Sequence, residues 1–230
     1  MKKIQQASLD MSDRVNTGFD NFFETMNANK LGDKEKASER ASIFEEIRDE
    51  LKEMRSSGIP QNGGSSGSSG SSGTSGTSGT SGTSGSSGRE KWVALSDEAL
   101  EWSARSVIGA LGIVSKDVLG LALPVIHVGG YGMILRAEIS GASLVKSEAR
   151  WNAGGFADWC DVNRVTITSL VPTQLYDLVS ARLECPTSMR ILVVGGGPLD
   201  VELTRKARDL GWPVVPSYGM TETSSQVATG

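Results

Sequence analysis

Two stretches of the chain carry side chains able to handle a nucleotide. In Ser217-Tyr218-Gly219-Met220-Thr221-Glu222 an aromatic ring, a hydroxyl and a carboxylate follow one another closely. A ring can stack on a base, a threonine hydroxyl can bond a phosphate oxygen, and a carboxylate can hold Mg²⁺ between phosphates. The second stretch is Thr83-Ser84-Gly85-Ser86-Ser87-Gly88-Arg89-Glu90-Lys91. Its glycines let backbone N–H groups converge on phosphate oxygens, its hydroxyls add donors and Lys91 adds charge. Each stretch also has a plainer reading, the first as a polar turn ending a strand and the second as the tail of a low-complexity run. Gly195-Gly196-Gly197-Pro198 and the single histidine, His127, are the other chemically suggestive positions.

Several common active sites do not fit the letters. No Gly-x-Ser-x-Gly elbow follows a predicted strand, so a Ser-His-Asp hydrolase is excluded. A Walker loop needs Gly-Lys-Ser/Thr, whereas Lys91 stands apart from Gly88. A dinucleotide fingerprint at Gly195 and Gly197 would want a small residue where Asp200 sits. One histidine and two cysteines, Cys160 and Cys185, cannot build a Cys/His zinc cluster or a disulfide framework.

The elements that must position these residues fall into three segments. In residues 1–62, Met11, Val15, Phe19, Phe22 and Met26 line one helical stripe, and Ala37, Ala41, Phe44, Ile47, Leu51 and Met54 line another, which predicts a helical hairpin. The run from Gly63 to Gly88 holds only Gly, Ser and Thr and cannot bury a core. Residues 63–82 are read as a flexible tether; the whole Gly/Ser/Thr run would span about 28 Å between its ends. From residue 83 the pattern alternates. Helices are expected from Ser96 to Gly112, around Tyr131–Ile139 and Phe156–Val162, over Thr173–Leu183 behind Pro172, and up to Leu210. Strands are expected at Trp92–Leu95, Val118–Leu123, Ser143–Lys146, Val165–Val171, Ile191–Val194 and Pro213–Pro216. The alternation predicts an α/β fold with a largely parallel sheet covered by helices. In such sheets ligands gather beyond the carboxyl ends of the strands, where the glycines and Tyr218–Glu222 fall.

Composition narrows the partners. With 23 Lys+Arg against 27 Asp+Glu the net charge is −4, which argues against nucleic acid and an anionic membrane. No apolar run reaches the roughly 18 residues of a membrane span, and the basic start has no apolar stretch behind it. A reducing cytoplasm is the expected location.

Taken in order, the motifs resemble the adenylate-forming (AMP-binding) superfamily of acyl-CoA synthetases. The resemblance rests on Lys91-Trp92-Val93-Ala94-Leu95-Ser96-Asp97 after the Gly-rich loop, then Leu123-Pro124-Val125-Ile126-His127-Val128-Gly129-Gly130, Ser169-Leu170-Val171-Pro172-Thr173, Gly195-Gly196-Gly197-Pro198-Leu199 and Tyr218-Gly219-Met220-Thr221-Glu222. His127–Gly130, Val171–Leu175 and Gly219–Thr229 look most like the o-succinylbenzoate–CoA ligases of menaquinone biosynthesis. The resemblance implies a two-step reaction: ATP and a carboxylate give an acyl-adenylate and pyrophosphate, then the thiol of coenzyme A displaces AMP. By the same resemblance Thr83, Ser84, Gly85, Ser86, Ser87 and Gly88 with Lys91 would hold the β- and γ-phosphates. Tyr218 and Gly219 would lie along the adenine, Thr221 would touch the α-phosphate, and Glu222 would bind Mg²⁺. Gly195, Gly196 and Gly197 would line the adenine and acyl pocket, with His127 and Gly129 at the acyl pocket or thiol channel. A structural core histidine is the alternative for His127.

Departures accompany the matches. Glu90 stands where the family has a proline and Asp97 where it has a histidine. The family also carries sheet before the phosphate loop, and a Thr-Gly-Asp stretch and a mobile lysine-bearing domain after Tyr-Gly-x-Thr-Glu, so a fragment or fusion that binds ATP weakly or not at all is expected. Residues 83–230 are then a partial AMP-binding domain. The competing expectations are a partner-binding or self-associating hairpin in 1–62 tethered to an inert domain, and another adenylation enzyme such as a peptide-synthetase domain.

Overall fold

The computed structural model describes residues 77–84, 90–125, 127–147 and 149–230. The predicted hairpin at 1–62 and the tether up to residue 76 lie outside them. The chain divides into Met1–Ser78 and Gly79–Gly230, and the architecture here is that of the second unit. One expectation changes at once: strand β1, Thr77–Ser84, occupies the last part of the run read as a flexible tether and pairs with β2, Glu90–Ser96. Alternation of small hydroxylated residues with glycine carries no apolar period, so sequence pattern alone does not reveal such a strand.

Helix boundaries follow local chemistry. Helix α1, Asp97–Leu111, begins where the Ser96 hydroxyl accepts a hydrogen bond from the Ala99 N–H at 3.2 Å, with Asp97 and Glu98 in its first turn, and it ends at Gly112 in the left-handed conformation. Its buried stripe is Leu100, Ala104, Val107 and Leu111, one face at three-four spacing. Strand β3, Val118–Leu121, leads to α2, Val128–Ser140, and then β4, Ser143–Lys146. Helix α3, Ala153–Val162, is capped by Asn152, and β5, Ile167–Leu170, runs into α4, Pro172–Ser180, with the proline at its first position. Strand β6, Ile191–Val194, precedes α5, Val201–Asp209, capped by Asp200. Strand β7, Val214–Met220, a 3₁₀ turn, Thr221–Thr223, and β8, Ser225–Thr229, complete the unit.

The main sheet has the order β4-β3-β5-β6-β7-β8. All pairs are parallel except β7 and β8, which form an antiparallel ribbon with an irregular register at Tyr218/Gly219. The parallel α/β expectation holds; the closing antiparallel strand was not predicted. Because the chain steps outward from β3 to β4, then back across β3 to β5 and onward, the winding reverses between β3 and β5. Helices α1 and α2 pack together near β8, while α3, α4 and α5 follow one another in contact. The latter helices cover a core of Phe156, Cys160, Leu175, Leu178, Leu192 and Trp212. Phe156 is ringed by Trp151, Trp159 and Trp212 at centroid distances of 5.2, 6.0 and 6.2 Å, and the Trp212 indole N–H donates to the Leu183 carbonyl at 2.8 Å.

At the amino end of the sheet the buried Asp117 carboxylate ties three elements. It accepts from Arg190 Nε and Nη2 at 2.8 and 2.7 Å, from the Thr166 hydroxyl at 2.9 Å and from the Val114 N–H at 2.9 Å. Burial alone would raise its pKa; the hydrogen bonds from Arg190, Val114 and Thr166 outweigh that and hold it at about 2. Arg190 also donates to the Leu111 and Gly112 carbonyls, closing the end of α1 onto β3, β5 and β6. This cluster sits at the end of the sheet opposite the carboxyl-end loops and is structural.

Candidate nucleotide and acyl site

The carboxyl ends of β3, β5, β6 and β7 all open toward one rim, and every sequence motif but the Gly-rich loop and the Lys91–Asp97 stretch falls at one of them. After β3 comes Ala122 to His127; after β5, Val171 and Pro172; after β6, Gly195 to Gly197; after β7, the Thr221–Thr223 turn. The rim includes the reversal between β3 and β5, the place where parallel α/β sheets leave a crevice.

These segments touch. The Gly195 N–H donates to the Leu170 carbonyl at 3.2 Å, and a β-carbon on Gly195 would stand 2.9 Å from the Ser217 carbonyl oxygen. Gly196, at φ 78, packs on Val171, and Gly197 on Pro172. The Gln174 side-chain carbonyl accepts from the Val171 N–H at 3.0 Å and fixes the entry to α4. Gly196 and Gly197 are exposed, so their backbone can meet a planar ligand without side-chain interference.

Tyr218 is 65 % exposed, its ring standing off the β7–β8 ribbon, whereas Thr221 is only 8 % exposed. Glu222 is exposed at the centre of the 3₁₀ turn. The turn is braced by Thr223, whose hydroxyl donates to the Met220 carbonyl at 2.9 Å and accepts from the Met220 N–H at 3.3 Å. Gly219 is required here, since a β-carbon would collide with the Ser225 carbonyl where β8 folds back. An Mg²⁺ ion uses one or two carboxylates and fills its octahedron with phosphate oxygens and water, and an exposed Glu222 fits that role. No group of three His, Cys, Asp or Glu capable of a closed metal cage exists among the described residues.

His127 is exposed and occupies the position before the first turn of α2, which removes the core-histidine alternative. Gly129 lies in that first turn, half-buried. Thr83 and Ser84 end β1 and Lys91 follows Glu90 in β2. Gly85, Ser86, Ser87 and Gly88, between those strands, lie outside the described residues. Strand β2 packs beside the Thr221–Thr223 turn, so the segment bearing Lys91 and the segment bearing Glu222 are neighbours.

One residue of this site escaped sequence reasoning. Arg136, on α2, is 2 % exposed and has no carboxylate partner among the described residues. Its Nη1 meets the Met133 sulfur at 3.5 Å, its Nη2 meets the Ser225 hydroxyl at 3.4 Å, and its Nε has no hydrogen-bond partner. Desolvation pulls its pKa down to about 10. Burying a guanidinium without a counter-charge is costly, so such a group marks a place where an anion is expected. The signal in the sequence was a lone arginine inside the apolar run Met133-Ile134-Leu135-Arg136-Ala137.

Comparison with known proteins agrees with this geometry. Residues 83–230 match the AMP-binding enzyme family. The chain is 36 % identical over 128 residues to 2-succinylbenzoate–CoA ligase of Bacillus subtilis strain 168, covering 56 % of this chain and 26 % of that one. It is 35 % identical over 119 residues to the enzyme of the same name from Bacillus pumilus SAFR-032, covering 52 % and 24 %. A solved structure of o-succinylbenzoate coenzyme A synthetase from Bacillus subtilis with ATP and magnesium superimposes with a TM-score of 0.60 at 34 % identity, covering 66 % of this chain and 32 % of the other. The chain thus spans about a quarter of the length of the curated relatives it matches. With matching motifs set on the same doubly wound sheet, the chain belongs to the AMP-binding enzyme family.

Proposed function

We propose that residues 83–230 carry the nucleotide- and acyl-binding rim of an AMP-forming acid–CoA ligase acting on o-succinylbenzoate. The reading is carried by one observation: the loops after β3, β5, β6 and β7 share a rim with a buried, unpaired arginine beneath it. An acid substrate needs a cation for its carboxylate and a polar cradle for ATP, and the rim offers both chemistries. Arg136 would pair with a carboxylate of the acyl group, a charge-assisted contact strengthened by exclusion of water. The other carboxylate would attack the α-phosphorus of ATP, giving acyl-adenylate and pyrophosphate; the coenzyme A thiol would then displace AMP. Thr221 would donate to the α-phosphate, and Tyr218 and Gly219 would flank the adenine along Gly195–Gly197. Lys91 and the loop Thr83–Gly88 would hold the outer phosphates. Glu222 would hold Mg²⁺, which supplies positive charge across the phosphates as pyrophosphate departs. His127 and Gly129 would border the acyl group and thiol. Since the leaving group is already charged, positioning and electrostatics carry the catalysis, and proton transfer contributes little.

The domain plan of this reading is a helical hairpin over 1–62, a tether from 63 into β1, and the AMP-binding portion from 83. No helix among the described residues is long and apolar enough to cross a membrane. Cys160 and Cys185 are both free thiols, which supports a reducing, cytoplasmic setting. The amphipathic stripes of 1–62 favour self-association as a second role for the chain.

The test uses the acyl-adenylate OSB-AMP, the ligand of another solved structure of the Bacillus subtilis synthetase. Titrated into the full chain and followed by calorimetry, it should bind at least tenfold tighter than AMP, and Arg136→Met should remove most of that difference. Equal affinities for AMP and OSB-AMP would refute the acyl assignment, and no binding of either, by this chain and by a complete enzyme carrying residues 83–230, would refute the function.

A further inference from the structure

The Thr221–Ser225 segment holds an arrangement that the nucleotide role alone does not require. Ser224 and Ser225 have φ of 58° and 107°, two consecutive non-glycine residues in the left-handed half of the map. Both are buried. Such backbone persists only where surrounding contacts over-determine it. The contacts are identifiable: the Ser225 carbonyl accepts from the Thr223 hydroxyl at 3.3 Å, and the Ser225 hydroxyl accepts from Arg136 Nη2 at 3.4 Å. Gly132 lets the guanidinium come this close, since a β-carbon there would lie 3.1 Å from Nη2 and 3.6 Å from the Ser225 hydroxyl.

Contacts therefore run from Arg136 to the Ser225 hydroxyl and, across the Ser225 backbone, from its carbonyl to the Thr223 hydroxyl, whose one proton is shared between the Ser225 and Met220 carbonyls at the entry of the turn that carries Thr221 and Glu222. Its links at Ser225 are long, 3.4 and 3.3 Å, so they can shorten. The free Nε and the Nη2 held by Ser225 together offer the fork that a carboxylate takes in a bidentate pair.

We propose that Ser225 is a positioning residue that couples the acyl site to the nucleotide site. A carboxylate seated on Arg136 draws the guanidinium tight against the Ser225 hydroxyl, and the Ser225 carbonyl in turn fixes Thr223 and the Thr221–Glu222 turn. Acid and nucleotide then bind with positive coupling, each ordering the hydrogen bonds the other needs. The inference rests on the acyl-ligase reading given above and adds to it the residue that joins the two half-sites.

The experiment is calorimetry on the full chain with Mg·ATP, alone and with saturating o-succinylbenzoate. In the unaltered protein the acid should tighten Mg·ATP binding roughly 5- to 20-fold. In Ser225→Ala each ligand still binds singly, and the ratio falls to near one. Ser225→Gly removes the hydroxyl while relieving φ 107°, so equal loss in both variants assigns the coupling to the hydroxyl and not to backbone strain. Hydrogen exchange at residues 220–226 should slow on adding o-succinylbenzoate alone in the unaltered protein and stay unchanged in either variant. Full coupling retained in Ser225→Ala or Ser225→Gly overturns the proposal. Single binding of both ligands with a ratio of one in the unaltered chain overturns it while leaving the ligase reading intact. Binding of neither ligand, by this chain and by a complete enzyme carrying residues 83–230, overturns the ligase reading and this proposal with it.

Discussion

Asp117 and Arg190 lie far apart in sequence, yet their pairing joins the starts of three strands to the end of α1. Replacing Asp117 by Asn leaves the guanidinium half-satisfied and should cost about 2 to 3 kcal/mol in urea denaturation. The pH dependence has a definite sign. The carboxyl titrates at about 2 in the folded protein against an ordinary 3.8, so its contribution is complete above about pH 4 and drains away as pH falls toward 2. The size is roughly 2 kcal/mol, and the slope of stability against pH in that window should flatten in Asp117→Asn. At the opposite rim the proposed function makes its own prediction: in a complete ligase carrying residues 83–230, Glu222→Gln should lower turnover roughly 100-fold, with the loss concentrated in the Mg²⁺ dependence. Lys91→Ala in the same enzyme should lower it less, about tenfold, since in the proposed reading backbone donors of the Gly-rich loop carry most of the phosphate contacts. Steady-state kinetics across Mg²⁺ concentrations checks the ranking; equal losses would contradict it. At this scale the sequence was readable where chemistry is local, as at Ser96 and Pro172. It was opaque where a partner comes only with the fold, as for Asp117, Arg136 and Ser225.

Among the elements, the β7–β8 ribbon is where fold and site meet. Gly219→Ala would drive a methyl group into the Ser225 carbonyl and should cost about 3 kcal/mol, with loss of nucleotide binding exceeding what the lower stability explains. Thermal melts set beside ligand titrations separate the two effects. Periodicity and caps located five helices and most strands within a few residues, because buried strands such as Ile191–Val194 are continuously apolar between turn formers. The return strand β8 was missed for a physical reason. Its turn uses Ser224 and Ser225 at positive φ, where a glycine would have announced it, and Ser225-Gln226-Val227-Ala228-Thr229 is too polar to read as a strand. Strand β1 was missed for want of any apolar side chain.

For the whole chain, the sheet order accounts for why distant motifs work together: winding outward in two directions from β3 and β5 brings four loop segments to one rim. The largely parallel, helix-covered sheet and its rim were legible in advance; the strand order that winds in two directions was not. The buried charge beneath the rim was not, because composition counts an arginine without saying whether water reaches it. The assignment of 1–62 as a self-associating hairpin makes a prediction for the isolated segment. Residues 1–62 should show helical circular dichroism and a mass above that of a monomer in light scattering; a strict monomer without helix would remove that role.

Two of the tryptophans stand at opposite extremes of exposure, so a quencher can tell them apart. Trp212 is sealed in the α3–α5 layer at 0 % exposure, and Trp102, on α1, is 73 % exposed. Trp212 should therefore emit at short wavelength and resist iodide, while Trp102 emits near the wavelength of free indole and is readily quenched. In a denaturant titration, the short-wavelength emission that iodide cannot reach then follows the opening of the α3–α5 layer, with no label attached.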